Sequence, residues 1–208
     1  MKKFITAVPL QPEGKLEEYC YAAVGNQRLQ MQEKTSFPII TAIQGYVQKD
    51  EQSEVIAVQV DSDNARCNYE KLKQELQEIS TKVGIPCPVL RRIIVPEEES
   101  VATHANTFRK LIDYLEDQDE LFACLTYGTK PLSEAIRMSV QYAYRVKTNV
   151  SISCVLYGQI IRPGRDPSEW YGQVYDETAL LRLDEMVHLM ANHGIKNPDM
   201  ILDNLLTL

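Results

Sequence analysis

The sequence predicts an α/β fold with a doubly wound, mostly parallel sheet, on three observations. Short runs rich in Val, Ile and Leu recur along the chain, and each is ended by turn or charged residues. Stretches with apolar residues at helical spacing lie between them. Capping and acidic residues stand where those helices would start.

The first run, KKFITAVPL, reads as a strand. The interval from Tyr19 to Gln48 departs from the alternation: YCYAAVGNQRLQM reads as a hairpin around Gly25-Asn26, and FPIITAIQGYV as a helix. EVIAVQVD is the second main strand, and Asp61-Ser62-Asp63 after it offers caps for a helix whose apolar face is Leu72, Leu76, Ile79 and Val83. VLRRIIVP is the third, with residues 97–100 opening a helix marked by Phe108, Leu111, Ile112 and Leu115. LFACLT is the fourth, before a helix with Leu132, Ile136, Val140 and Ala143 on one face. VSISCVLYG is the fifth and closes at Tyr157-Gly158. Beyond it, GQVYD reads as an edge strand, followed by a helix through Leu183, Met186, Val187 and Met190. A last short helix is capped by Asn197, with Pro198 in its first turn.

Strand and helix alternating in this way place helices on both faces of the sheet, a Rossmann-like arrangement with a hairpin insertion after the first strand. With no linker composition anywhere, residues 1–208 read as one domain, and 170–208 as its C-terminal strand-helix-helix extension. At 44% apolar and 25% charged residues the chain has a globular balance. The five cysteines, at 20, 67, 87, 124 and 154, are scattered without metal-ligand spacing and read as reduced thiols. The N-terminal apolar run is too short for a signal peptide, and no run is long enough to cross a bilayer, so a cytoplasmic protein is expected. A net charge of −7 argues against a general nucleic-acid binder but leaves room for a small anion held by a few local cations.

Ligands of open doubly wound sheets bind beyond the carboxyl ends of the strands, where strand order reverses. With the five main strands in the order 3-2-1-4-5, that point falls between TAVPLQPEGK, which supplies Pro9 and Gln11, and LTYGTKPL, which supplies residues 126–130. The second loop also opens a helix, whose unpaired N–H groups attract anions. Gly128 allows close backbone approach, Thr129 offers a hydroxyl and Lys130 a mobile charge, a combination suited to phosphate. The same three residues also suit a plain turn, a helix cap and a solvated lysine. Tyr157 either stacks on a base or packs in the fold.

The segment CLTYGTKPL resembles the Asp-x-Thr-Gly-Gly-Thr-Lys motif of CRISPR-associated Rossmann fold (CARF) domains, with Thr126, Gly128, Thr129 and Lys130 in the matching positions. HANTFRKLIDYL, VSISCVLYG and VYDETALLRLDEMV around it are similar to segments of stand-alone or N-terminal CARF domains, and the resemblance covers most of residues 1–192. Cys124 stands where that family usually has Asp, and Tyr127 where it has Gly or His. The resemblance implies a homodimer binding cyclic oligoadenylate, the messenger of type III CRISPR antiviral defence, in a pocket on its twofold axis. It also implies, for some members, metal-independent cleavage of the ring, with Lys130 stabilising charge on the phosphate. No cofactor is implied. Tyr127, Tyr157, Pro9 and Gln11 would complete the ligand site.

Other residues carry weaker signals. Asp61 and Asp63 follow a strand, yet the first strand lacks a Gly-x-Gly-x-x-Gly turn, so they read as helix-start residues. His104, His188 and His193 are scattered, and no metal site is expected. Arg182 and His188 match the spacing of a nuclease motif found with CARF domains, but the chain from Trp170 onward is too short for such a domain. Arg91 and Arg92 face either a partner or a helix. IIRPGRDPSEWYG, after the fifth strand, reads as an ordinary surface loop in preference to a lid over the pocket. Two alternative functions stand beside the messenger-binding one: an unrelated Rossmann-like enzyme acting on a mononucleotide or sugar phosphate, and a non-catalytic scaffold.

Overall fold

A computed structural model describes residues 1–206 of the chain. Strand β1 (Lys2–Ala7) is followed by β2 (Tyr19–Val24), β3 (Met31–Thr35) and helix α1 (Ile39–Tyr46). Then come β4 (Ser53–Val60), α2 (Asp63–Val83), β5 (Val89–Val95), α3 (Val101–Ile112), β6 (Glu120–Cys124) and α4 (Lys130–Val146). The chain continues through β7 (Ser151–Ile161), β8 (Tyr171–Asp176), α5 (Thr178–Asn192) and α6 (Pro198–Leu206). Among the described residues these strands make one mixed sheet in the order β3-β2-β8-β7-β6-β1-β4-β5. Its parallel half, β5-β4-β1-β6-β7, is the 3-2-1-4-5 order expected from the sequence. The Rossmann-like α/β fold is therefore as anticipated.

Burial accounts for the strand patterns. β1 and β4 are buried on both faces, and apolar residues accordingly stand at successive positions, Phe4-Ile5 and Val55 to Val58. Phe4, Val55 and Phe122 point into a core shared with α1 and α2, whereas Ile5, Ile56 and Leu121 point into a second core shared with α3, α4 and Leu181 of α5. Lys2 and Lys3 are buried at the amino end of β1, where Lys3 Nζ pairs with Asp119 at 3.1 Å and donates to the Tyr114 carbonyl. A buried ammonium is tolerable only with partners of this kind. The helix starts also follow the local signals: Ser62, Ser100 and Thr129 are the caps of α2, α3 and α4.

Three expectations need correcting. GQVYD does not form an edge strand. β8 lies antiparallel to β7 and parallel to β2, so the hairpin of β2 and β3 extends the same sheet and β3 is the edge. The cause is that β7 runs on past Gly158 to Ile161, leaving a strand edge that β8 and then β2 satisfy. Gly172 makes the β2 pairing feasible, because a Cβ there would lie 2.6 Å from the Tyr21 ring.

The buried face of α5 is turned from the expected one. Leu181 and Met190 are buried, Leu183 and Met186 half-buried, and Val187 exposed. Thr178 Oγ1 accepts from Val155 N at 2.8 Å and Arg145 binds Glu185 at 2.8 Å, which together set the rotation of the helix. Asn197 precedes α6 with φ +61°, in the left-handed region and not the extended backbone usual for an N-cap. Arg91 and Arg92 face neighbours in the fold, Glu54 at 2.5 Å and the ring of Tyr69 at 4.8 Å respectively. No helix among the described residues is long and apolar enough to cross a membrane.

Candidate functional site

The carboxyl ends of β1 and β6 lie side by side at the top of the sheet, and the connection from β6 to α4 crosses that edge. Its residues divide between two environments. Gly128, at φ +92°, turns the chain so closely over Ala7 that a Cβ would lie 2.9 Å from that side chain. Thr129 then caps α4, accepting from Leu132 N at 3.4 Å, and Lys130 opens the helix. Lys130 is exposed and has no ion-pair partner among the described residues, so its charge is free toward solvent.

Thr126 and Tyr127 turn the other way. Thr126 Oγ1 accepts from Gly158 N at 2.7 Å and lies 3.2 Å from the Cys124 sulfur, tying the loop to β7. Tyr127 buries its ring against Phe37 and donates to the Ser36 carbonyl at 2.6 Å. Burial raises its hydroxyl pKa far above the ordinary phenol value, so it is a neutral donor and not a base. Cys124 is a fully buried thiol whose pKa is raised by desolvation, and it contributes no charge to the site.

On this side a cleft of about 260 Å³ opens between the loop after β1 and the end of the β7–β8 hairpin. Thr126, Tyr127, Gly158 and Ile160 form part of its floor. One wall carries Gln11, Lys15 and Tyr19, and the other Arg162 and Trp170. Tyr19 bonds to Glu17, and burial, followed by that carboxylate, pushes its hydroxyl up to about 12. Beneath the floor, Glu75 accepts from Thr35 Oγ1 at 2.5 Å and from Ser36 N at 2.9 Å, with its pKa raised by desolvation. Ser36, which bonds to both Glu75 and Tyr127, thus joins the floor to a buried carboxylate.

The residues expected from the sequence are only partly brought together. Gln11, Thr126 and Tyr127 line the cleft, while Gly128, Thr129 and Lys130 are outside its lining, at the start of α4. Pro9 is buried, its carbonyl accepting from Asn68 Nδ2 at 2.9 Å, and it serves to shape the loop. Tyr157 is exposed beside Tyr175, outside the lining of the cleft. It alternates along β7 with Gly158, which faces the cleft, so it lies on the opposite face of the sheet.

Two features depart from the sequence reading. One is the 162–170 segment, read as an ordinary loop in preference to a lid, whose ends Arg162 and Trp170 line the cleft. The other is Glu99, whose Oε2 accepts from Thr129 Oγ1 at 2.9 Å and lies 3.1 Å from His104 Nε2. An internal carboxylate thus stands beside the α4 N-terminus, where an incoming phosphate would bring a like charge. Neither a comparison with protein-family models nor one with curated protein sequences finds a match for the chain.

Proposed function

We propose that this protein binds cyclic oligoadenylate as a homodimer in which the 128–130 loops of both copies face one shared cleft, and acts as a sensor or metal-independent ring nuclease. The observation carrying this reading is the pairing of β1 with both β4 and β6, the reversal of strand order beside which Lys130 stands exposed and without an ion-pair partner among the described residues. An even-numbered ring of phosphates presents equivalent faces to two copies of such a site.

Where the ring is cut, its own 2′-hydroxyl is the nucleophile. The 2′-oxygen forms a bond to the adjacent phosphorus as the bond from phosphorus to the 5′-oxygen breaks. The hydroxyl proton passes to solvent, and the departing 5′-oxygen takes one from water. Lys130 stabilises the charge on the phosphoryl oxygens, and binding holds the groups in line. Incubation with cyclic tetra- and hexa-adenylate in chelator is expected to give 2′,3′-cyclic phosphate ends, read by mass spectrometry. Plain 3′- or 5′-phosphate ends, or activity lost in chelator, would refute this route. Intact bound ligand would leave the sensor role.

Calorimetry with cyclic adenylates beside AMP, ATP and NAD tests the ligand class. The second reading, an unrelated enzyme on a mononucleotide or sugar phosphate, is favoured by the size of the 260 Å³ cleft and predicts binding of AMP but not of the rings. Glu99 offers a further check. Glu99→Gln is expected to tighten binding of the phosphate-bearing ligand by about two- to fivefold, the worth of removing one partly exposed like charge. It should also cost about 0.3–1 kcal/mol of stability, because a carboxylate near a helix N-terminus is favourable. Affinity unchanged in that variant would place the phosphate away from Thr129.

A further inference from the structure

Resting on the nucleotide-binding reading above, we infer that Arg162 and Trp170, with Lys15 and Tyr19 opposite, form a subsite that holds one purine base and its phosphate. Lys15 in the loop after β1, Tyr19 at the start of β2, and Arg162 and Trp170 at the ends of the segment joining β7 to β8 line one cleft. Trp170 is half-buried and its indole N–H donates to the Gly164 carbonyl at 3.2 Å, so the ring is fixed in orientation. The Arg162 guanidinium lies over that ring, 4.7 Å from the centroid.

This stacking orients an arginine that has no carboxylate partner among the described residues, and it leaves the planar fork of N–H donors open for a phosphate. Lys15, exposed on the facing wall, adds a second cation. Glu17, the acidic member of the lining, is engaged by the Tyr19 hydroxyl. Rigid aromatic faces beside two cations suit a flat base bearing an anion, since every base offers a face for stacking while its phosphate requires donors. At about 260 Å³ the cleft is at the small end for ligand pockets and takes one nucleotide unit per copy of the chain. That unit is either one residue of a cyclic oligonucleotide or a free mononucleotide.

Trp170 is the single tryptophan of the chain, so its fluorescence reports directly on the subsite. The protein would be titrated with AMP, cyclic tetra-adenylate, cyclic hexa-adenylate and ribose 5-phosphate, with calorimetry in parallel. Adenine-bearing ligands that bind are expected to change Trp170 emission, and ribose 5-phosphate is not. Trp170→Ala and Arg162→Ala should each weaken binding by about tenfold or more, the order expected for losing a base stack or a charge-assisted phosphate contact. Trp170→Phe should retain most of the affinity and, with its melting temperature, separates loss of stacking from loss of folding.

A response to AMP alone supports the subsite and assigns it a free mononucleotide, and a response to a ring assigns it one unit of that ring. Calorimetric binding to the native protein with silent emission and unchanged affinity in both alanine variants would overturn the subsite while the nucleotide reading stands. No heat with any adenine ligand would overturn both.

Discussion

Lys130→Ala is expected to weaken binding of a cyclic adenylate by about 1.5–3 kcal/mol per site, the range for a hydrogen bond to a charged group. If the ring touches both copies of a dimer, the two losses combine, for roughly 3–6 kcal/mol in all when the sites act independently. Thermal stability should hardly move. Lys130 is exposed at the first helical position of α4 and makes no ion pair among the described residues, and alanine is a good helix former. Calorimetry and a thermal melt on the same preparation decide the matter. Unchanged affinity would remove the 128–130 loop from the ligand site, and loss of folding would return Lys130 to a structural role.

Phe122→Ala should cost about 3–5 kcal/mol of stability, the usual cost of truncating a fully buried phenylalanine. Phe122 has 0% exposure and joins β6 to β1 and α1: its ring stacks on Phe4 at 4.5 Å between centroids and meets Tyr46 at 4.9 Å. For a chain of this size the midpoint should fall by about 6–20 °C. Denaturant unfolding followed by circular dichroism measures it. A loss near 1 kcal/mol would mean that Phe4 and Tyr46 collapse into the space. Because β1 and β6 also frame the proposed site, the variant should lose ligand affinity as its fold loosens, unlike Lys130→Ala, which separates the two.

Local rules made much of this protein legible in its sequence. Ser62, Ser100 and Thr129 each bond to a backbone amide three residues ahead, so their roles depend only on neighbours. The buried runs of β1 and β4 and the Leu132, Ile136, Val140 stripe of α4 likewise carry their own periodicity. Strand–helix–strand alternation then constrained the parallel half of the sheet, because a parallel crossover has a strongly preferred hand and needs a connecting helix.

What the tertiary structure alone decided lies in contacts between distant parts of the chain. Tyr21 pairs with Gly172, the Tyr127 hydroxyl reaches Ser36 across 91 positions, and Glu99 comes to Thr129 across 30. Those contacts turned GQVYD from an edge strand into an interior one and drew Tyr127 inward. They also made the ends of the 162–170 segment into a cleft wall. Helix caps and apolar faces have sequence signatures because their partners lie within a turn or two along the chain. Strand partners and loop walls are chosen by which edges and cavities remain once the core has closed, and that choice appears in sequence only indirectly, as at Gly158 and Gly172, where backbone or ring approaches too closely for a side chain.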